Sequence, residues 1–263
     1  MFTKENIINA LRCMAVGDAV GDKFEFMNSA DFSPSDILNY AKTGSLEITD
    51  DTQMTLFGFE SILSGHSIVE AYLDWFITQT EEYDGFYDWC LLDFPELFKN
   101  KSPGNTCISS LADLSDGYEV VNNSYGCGSV MRLLPFALVD FNLQKVIDSI
   151  EVTHKHPVLN LVAANRLIRA YRGEIFDYVA KDIEVLGQGW VATECVDMAI
   201  WAVENSKTFD ELLVKSIHHS GDSDSVAAIA CSIWGLRGRE FSYYDNVVEK
   251  APIEYIIDRI NEY

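Results

Sequence analysis

Hydrophobic residues recur at intervals of three and four positions through most of the chain. In residues 4–20 the apolar side chains include Ile7, Leu11 and Met14, which form one stripe on a helix. The same spacing predicts further helices over residues 52–63, 68–78, 145–153, 158–171, 192–203, 208–218, 225–236 and 252–260. Strand-like alternation of apolar and polar residues is scarce. The pattern therefore predicts an all-α protein.

Segments rich in Gly, Ser, Asn and Asp separate the predicted helices. The predicted loops are residues 26–35, 100–105 and 113–129. Thr208 and Glu211 stand in the capping-box pattern that opens a helix. Residues 81–95 combine acids with aromatics and fit no pattern. Because no linker or repeat interrupts the chain, we expect one domain over residues 1–263, a compact helical bundle with long functional loops.

The charge balance excludes several classes of partner. The chain has 263 residues, with 19 Lys and Arg against 41 Asp and Glu, for a net charge of −22. Nucleic acids and anionic membrane surfaces require basic residues, so we expect neither as a partner. A basic protein would suit this charge.

The cysteines and the apolar runs indicate where the protein works. The six cysteines are spread singly, without a C-x-x-C pair, which is typical of free thiols rather than a disulfide framework or a zinc site. No stretch approaches the roughly 20 apolar residues of a membrane span, and the N-terminus lacks the pattern of a signal peptide. We therefore expect a cytoplasmic protein.

Three short acidic motifs stand where loops meet helices. They are residues 17–25, with the sequence GDAVGDKFE, residues 49–52, with TDDT, and residues 221–225, with GDSDS. Carboxylates with hydroxyls between them are hard oxygen ligands, which Mg²⁺, Mn²⁺ or Ca²⁺ selects. Asp, Ser and Thr are also favoured N-caps, so either acidic helix start (49–52 or 221–225), taken alone, is more often a cap than a metal site. A cap needs one side chain, however, and each helix start offers several.

Two other segments suggest a bound anion. Residues 124–132 form a glycine-punctuated loop whose backbone N–H groups are candidates to cradle a phosphate, with charge added by Arg132. A plain turn is the alternative. His154 and His156 stand at a helix start, where a cap or a packed residue is the alternative to a functional role. His218 and His219 close a helix, and we interpret them as partners of its C-terminus.

In this order, the motifs resemble the ADP-ribosylglycohydrolase family of the dinitrogenase-reductase-activating type. The segments that carry the resemblance span nearly the whole chain: GDAVGDKFE, ITDDTQM, SPGNTCISSL, GCGSVMRLLPFAL, THKHP, GQGWVATECVDMAIWAVENS and HHSGDSDSVAAIACSIWG. The resemblance implies an orthogonal all-α bundle. It also implies a binuclear centre with two Mg²⁺ ions, or Mn²⁺ as a substitute, that removes ADP-ribose from a modified side chain.

The resemblance also assigns roles to residues. The implied metal ligands are Glu25, Thr49, Asp50, Asp51, Asp222, Asp224 and Ser225. The implied ADP-ribose contacts are Gly126, Cys127, Gly128, Ser129, Met131, Arg132, His154 and Trp190. Glu25 or Asp51 would assist proton transfer, and Trp190 would flank the adenine unless it is a core aromatic. Cys127 stands where the family usually has Asn, and Ser225 where it usually has Thr.

Charge supports the implied metal centre. Glu25 with the four aspartates carries −5 when all are ionised, and two divalent ions would nearly cancel that field. The expected reaction is hydrolysis of the C1″ glycosidic bond of an ADP-ribosylated protein, with ADP-ribose as the product and N-linked arginine as the first choice of linkage. Serine-linked or O-acetyl-ADP-ribose hydrolysis is an alternative. A non-catalytic binding or immunity protein on the same fold is another.

Overall fold

The computed structural model describes residues 2–85, 90–101, 103–178, 180 and 182–263. Within these ranges the chain forms eleven α-helices and no strand. The helices are α1 (Lys4–Asp22), α2 (Pro34–Thr43), α3 (Asp50–Ser64), α4 (Ile68–Thr80), α5 (Asn105–Ser115), α6 (Leu143–Glu151), α7 (Leu159–Tyr171), α8 (Ala192–Glu204), α9 (Phe209–Ile217), α10 (Ser223–Leu236) and α11 (Lys250–Glu262). Single 3₁₀ turns and long loops connect them. The all-α prediction is confirmed.

Helices α1 and α10 form the centre of the bundle. They pack against each other more extensively than any other pair among the described elements, and every residue of α10 is buried. Helices α8, α9 and α3 cover this pair, while α4 and α7 pack outside them. A helix that is apolar on all sides belongs in the core of a bundle, as α10 does. The N-terminus of α10 and the C-terminus of α1 therefore lie side by side in the protein interior.

The predicted helices all form, and two further helices were missed. Helix α2 begins inside the predicted loop 26–35, with Pro34 in its first turn and a capping box between Ser33 and Asp36. Helix α5 starts at Asn105 without a side-chain cap. It buries only a short stripe (Cys107, Ser110 and Leu111), so its periodic signal is weak.

The capping box at the start of α9 forms only in part. Thr208 accepts a hydrogen bond from the Glu211 N–H at 3.2 Å, as predicted. The Glu211 carboxylate accepts from the N–H of Lys207, at 2.8 Å, rather than from that of Thr208. The reciprocal bond therefore falls one residue before the expected position.

The described structure also bears on the cysteines and on membranes. All six cysteines are free. Among the described helices, none combines the length and apolar character that crossing a bilayer requires.

The stretch 81–95, for which the sequence predicted no element, is described in part. Two single 3₁₀ turns form at Leu91–Asp93 and Pro95–Leu97, while residues 86–89 lie outside the described part. Ser102, the first residue of the SPGNTCISSL motif, lies outside it as well.

Candidate active site

Acidic residues from three distant segments of the chain meet at one cavity. Glu25 follows the end of α1, Asp50 and Asp51 open α3, and Asp222 and Asp224 stand at the start of α10. Oxygens of Glu25, Asp222 and Asp224 all lie within 4.8 Å of one another. All five carboxylates line a cavity of about 360 Å³. The fold therefore collects the acidic motifs into one site.

Helix capping explains part of this arrangement. Thr49 is the N-cap of α3 and accepts from the Asp51 N–H at 3.3 Å, and Asp222 is the N-cap of α10 and accepts from the Ser225 N–H at 3.3 Å. Asp50, Asp51 and Asp224 are not caps, yet each is buried at the cavity. The motifs thus serve both as caps and as a cluster of acids.

Close backbone packing brings α1 and α10 together at the site. A Cβ atom on Gly21 would lie 2.5 Å from the Cα of Asp224 and 2.5 Å from the carbonyl oxygen of Ser223, so only glycine permits this contact. Gly221, just before α10, has φ +139°, a region that side chains disfavour, and its neighbour is the backbone of Gln188. Gly21 therefore allows the acidic start of α10 to approach the end of α1, and Gly221 allows the chain just before α10 to pass close to Gln188.

Asp18 is a buried acid that the sequence reasoning did not assign to the site. Its carboxylate accepts from the N–H groups of Thr49 (3.0 Å) and Thr52 (3.1 Å) and from the Thr49 hydroxyl (2.6 Å). Asp18 therefore holds the start of α3 against α1. Its position within the GDAVGD segment, on the buried side of α1, was the available signal.

Burial shifts the pKa values of the clustered acids upward. The pKa of Glu25 is raised to about 9 and that of Asp50 to about 7, first by burial and then by the charge of Asp224. Burial followed by neighbouring acids also raises the pKa values of Asp51 and Asp222 well above their usual range. Buried carboxylates without cations disfavour their charged forms. The residues of the cluster alone therefore do not neutralise the negative charge that its ionised carboxylates would carry.

The donor chemistry of this cluster fits divalent cations. The Oδ1 atoms of Asp51 and Asp224 are buried and have no hydrogen-bond partner among the residues that the structure describes. Ser225 adds a hydroxyl, which donates to Asp51 Oδ2 at 3.2 Å. Carboxylate and hydroxyl oxygens are the ligands that Mg²⁺ and Mn²⁺ prefer. The cluster supplies both, together with an excess of negative charge.

Lys101 is the cation that sequence reasoning missed. Lys101 lines the cavity and belongs to the segment just before α5. It forms an ion pair with Glu47 and lies 4.0 Å from the buried Glu249. Because these two carboxylates already balance its charge, Lys101 does not neutralise the acidic cluster.

The glycine loop forms one wall of the cavity, but it offers fewer donors than predicted. Gly126, Cys127, Gly128 and Met131 line the cavity. The N–H of Cys127 donates to the Trp190 carbonyl, while those of Ser129 and Met131 donate to carbonyls of the loop itself. The prediction that this loop presents a row of free N–H groups is therefore wrong for these residues, because the chain folds into a 3₁₀ turn.

Three residues assigned to the site lie behind the cavity wall. Ser129 is fully buried and donates to the Gly126 carbonyl at 2.8 Å, and the Thr49 hydroxyl is bonded to Asp18. Arg132 is fully buried and donates to the Ser149 carbonyl at 2.9 Å and to the Thr153 hydroxyl at 2.6 Å. The expectation that Arg132 contributes charge directly to a phosphate cradle is therefore not met by this geometry.

The two predicted histidines have different positions. His154 lines the cavity, is 2% exposed, and has its Nδ1 atom 2.8 Å from the Thr153 hydroxyl oxygen. Burial, and then the charge of Arg132, lowers the pKa of His154 to about 3. The His156 Nδ1 atom instead accepts from the N–H groups of Val158 and Leu159 at the start of α7, as the capping alternative predicts.

Two aromatic rings stand at the mouth of the cavity. Trp190 is 36% exposed and stacks on Phe26, with ring centroids 5.2 Å apart and an interplanar angle of 21°. Trp190 is therefore not a core aromatic. Phe26 is 75% exposed and has φ +63°, a conformation rare for a bulky side chain. Phe26 was not predicted to line the cavity, because it follows Glu25 in a segment whose pattern indicates a loop.

Comparison with known proteins identifies the family of this chain. The sequence profile of the family described as ADP-ribosylglycohydrolase matches residues 2–240. The chain belongs to the ADP-ribosylglycohydrolase family. An uncharacterized protein of Archaeoglobus fulgidus is 26% identical over 291 aligned positions, which cover 89% of this chain and 88% of that protein. A solved structure titled as an ADP-ribosylglycohydrolase-related protein complex superposes with a TM-score of 0.70 and 19% identity, covering 98% of both chains, and is similar in fold.

Membership of the ADP-ribosylglycohydrolase family confirms the resemblance seen in the sequence. The matched range includes the end of α1, the starts of α3 and α10 and the glycine loop. The family supports a hydrolase of the glycosidase type whose substrates and products contain ADP-ribose. The candidate active site is therefore the cavity that the acidic cluster, the glycine loop, Phe26 and Trp190 line.

Proposed function

We propose that this protein is a divalent-metal-dependent hydrolase that removes mono-ADP-ribose from a modified protein side chain, with N-linked arginine as the first choice. The observation that carries the proposal is the convergence of four buried aspartates and the half-buried Glu25 on one cavity. Among the described residues, Asp51 and Asp224 each have one carboxylate oxygen without a hydrogen-bond partner. Such a cluster needs cations to be ionised near neutral pH. Two Mg²⁺ ions, or two Mn²⁺ ions, would nearly cancel the charge of −5 that the five ionised carboxylates carry.

Each side of the cavity has a role in the proposed reaction. Glu25, Asp50, Asp51, Asp222, Asp224 and Ser225 would hold the metals, with Thr49 supporting Asp51 through the helix cap. When bound, the two ions would supply positive charge and orient the distal ribose through its hydroxyls. Trp190 and Phe26 offer a flat apolar surface for adenine, and the loop from Gly126 to Met131 offers the wall beside the diphosphate.

The acids of the cluster would also move the proton during cleavage of the C1″ bond. Glu25 is the least buried of the five, so it can exchange a proton with water at the cavity mouth. Asp51 is deeper, with one oxygen held by Ser225. In this proposal Glu25 or Asp51 takes a proton from the water that forms the new C1″–O bond and passes a proton to the side-chain nitrogen as the C1″–N bond breaks, so that the arginine side chain leaves protonated.

Removal of single carboxylates tests the metal centre. Asp50→Ala and Asp222→Ala are expected to reduce hydrolysis to background and to weaken Mg²⁺ binding by roughly 100-fold or more, since each deletes a charged oxygen ligand. Calorimetric titration with Mg²⁺ and a release assay on ADP-ribosylated protein measure the two effects. Asp258→Ala, on the exposed side of α11, is the matched control and should change neither. Retained activity of either variant in the presence of a chelator would exclude the metal-dependent mechanism.

The linkage is tested by comparing leaving groups. Peptides carrying ADP-ribose on arginine or on serine, together with O-acetyl-ADP-ribose, should be hydrolysed at different rates, with the arginine-linked peptide fastest. The readout is free ADP-ribose per unit time at equal substrate concentration. A faster rate on the serine-linked peptide or the O-acetyl compound would move the assignment to that linkage while keeping the metal centre.

The non-catalytic alternative is separated from the hydrolase by the same titration. A binding or immunity protein on this fold needs no metal, so the absence of a tight Mg²⁺ site would favour it. Its partner would be a basic protein, given the net charge of −22. We favour the hydrolase because a scaffold gains nothing from five mutually repelling acids at one cavity. We also propose that the protein works in the cytoplasm, where its six free thiols would remain reduced.

A further inference from the structure

Arg132 is a buried cation whose hydrogen bonds fix the proton of a neighbouring hydroxyl. Its guanidinium lies over the Tyr72 ring, 4.4 Å from the centroid, and in the described chain no carboxylate lies within ion-pair distance of it. Its Nη2 donates to the Thr153 hydroxyl oxygen at 2.6 Å. An arginine stays protonated and can only donate hydrogen bonds. The Thr153 oxygen is therefore the acceptor, and its own proton must go elsewhere.

The Thr153 proton has two possible acceptors. One is the His154 Nδ1 atom, at 2.8 Å, and the other is the Cys107 thiol, which also contacts Thr153. An imidazole nitrogen is a much stronger acceptor than sulfur. If Nδ1 carried a proton instead, that proton would point toward the positive charge of Arg132, and the Thr153 proton would be left with the sulfur. Both considerations favour an unprotonated Nδ1 atom.

We propose that Arg132 and Thr153 hold His154 as the neutral tautomer with its proton on Nε2, so that His154 presents an uncharged hydrogen-bond donor to the ligand. In the described chain Nε2 makes no hydrogen bond, and it lies 3.3 Å from the point that a Cβ on Gly126 would occupy, next to the cavity wall. The group opposite Nε2 must then be an acceptor oxygen. Arg132 and Thr153 are positioning residues, because neither lines the cavity.

The low pKa of His154 agrees with this geometry, because burial and the charge of Arg132 both oppose a second proton on the ring. A neutral donor has a specific advantage here. An imidazolium would add positive charge to the cavity that the acids also line, whereas a neutral imidazole adds none and leaves the acids available for cations. That the ligand is ADP-ribose rests on the proposed function, but the tautomer does not.

Nitrogen NMR of the free protein tests the tautomer. With ¹⁵N-labelled histidine at pH 7, without Mg²⁺ or ADP-ribose, His154 should show a protonated Nε2 and an unprotonated Nδ1 that accepts a hydrogen bond. The chain has five histidines, and the signals of His154 are identified by their loss in His154→Gln. A protonated Nδ1, in either the neutral or the charged ring, would overturn the proposal.

Substitution of Thr153 tests the relay, by which we mean the chain of hydrogen bonds from Arg132 through the Thr153 hydroxyl to His154 Nδ1. Thr153→Val removes the hydroxyl at nearly constant volume, so the Nδ1 resonance should move toward the value of a nitrogen without a hydrogen bond. ADP-ribose affinity should fall about 3- to 10-fold, as expected for a disturbed neutral hydrogen bond. Thr153→Ser should restore the Nδ1 resonance and the ADP-ribose affinity. The control is Thr78→Val, which changes a different buried threonine, on α4, and should alter neither the resonance nor the affinity.

The outcomes separate the relay from the proposed function. An unchanged Nδ1 resonance in Thr153→Val would show that Thr153 does not donate to His154, which overturns the relay. If the wild-type protein shows the Nε2 proton and the Thr153 effect but does not bind ADP-ribose, the tautomer assignment stands and the proposed function fails.

Discussion

At the scale of single residues, the most informative side chain is Asp18, because it organises the site without lining the cavity. It accepts three hydrogen bonds from the start of α3 and is completely buried. Burial raises the pKa of Asp18 to about 8 despite these hydrogen bonds, which act in the opposite direction. Asp18 thus links the stability of α3 to the position of Asp50 and Asp51.

Replacement of Asp18 should separate its hydrogen bonds from its charge. Asp18→Ala leaves the buried donors of Thr49 and Thr52 unpaired, so we expect a loss of about 2–4 kcal/mol in the free energy of unfolding. Asp18→Asn keeps oxygen at one carboxylate position and places an amide that can donate to Thr49 at the other, so the loss should be much smaller. Urea unfolding measures both variants. Equal losses for Ala and Asn would show that the charge, not the hydrogen bonding, is the contribution of Asp18.

The sequence predicted which acidic residues belong to the site, but it did not predict which side chains of the glycine loop line the cavity. The sequence identified Asp222 and Asp224 from their local motif, and both line the cavity. It did not distinguish Met131, which lines the cavity, from Arg132, which lies behind it, although the two are adjacent. The direction of a side chain in a non-repeating loop depends on its tertiary neighbours, and no sequence periodicity reports that.

At the scale of elements, the site depends on how closely α1 approaches α10. Glycines lie at both ends of this helix pair: Gly21 meets the start of α10, and Gly235 near the end of α10 meets the backbone of Asn9 and Ala10. An added Cβ at Gly235 would lie 2.6 Å from the Asn9 carbonyl oxygen. Because α10 is buried on all sides, a displacement at either end cannot be relieved toward solvent.

Replacing either glycine with alanine should therefore lower the free energy of unfolding by a similar amount, but only one of the two replacements should weaken Mg²⁺ binding. Gly21→Ala and Gly235→Ala are each expected to lower the free energy of unfolding by about 1–3 kcal/mol through overpacking. Only Gly21→Ala displaces Asp224, so it alone should weaken Mg²⁺ binding, by roughly tenfold or more. Calorimetry and urea unfolding on the same samples measure both. Equal loss of Mg²⁺ affinity in Gly235→Ala would contradict the local role of Gly21.

The elements themselves were largely predictable, and the two misses have physical causes. Helix α5 lacks a side-chain cap and buries few apolar residues, so its helical state depends on packing against α4. Helix α2 had a recognisable signal in Ser33, Pro34 and Asp36, but the Ser, Asn and Asp residues of the segment 26–35 suggested a loop. Composition averages over a segment, whereas a cap acts at one residue.

At the scale of the whole molecule, the stability of the cation-free protein should depend on pH through the buried acids. The pKa values of Asp50, Asp18 and Glu25 are raised to about 7, 8 and 9, whereas unfolded carboxyls titrate near 4. A raised pKa in the folded state contributes stability that is present below the unfolded value and is lost as pH rises through the folded value.

We therefore expect the melting temperature in a chelator to fall between pH 6.5 and pH 9. Surface acids are already ionised throughout this window, so their repulsion is nearly constant. His154 is neutral in the folded and unfolded states above its unfolded pKa near 6.5 and adds no slope there. Saturating Mg²⁺ should raise the melting temperature at pH 9 by roughly 5 °C or more. Thermal unfolding at both pH values, with and without Mg²⁺, measures this dependence.

A control variant links that slope to the site. Asp50→Asn removes one of the titrating acids, so the melting temperature in chelator should fall less between the two pH values. Asp258→Asn, which changes an exposed acid, should reproduce the wild-type slope. A melting temperature that rises with pH in the chelator would contradict the raised pKa values of the buried acids.

The amino-acid sequence alone determined the helical class, most of the helices and the acidic motifs, because amphipathic periodicity and helix caps are local properties of the chain. The tertiary structure decided which of those motifs share a cavity, since residues some 200 positions apart meet only where α1 and α10 pack. It also decided that Arg132 and Ser129 lie behind the wall and that Phe26 and Lys101 lie on it. Burial and the direction of a side chain depend on long-range packing, which no short segment contains.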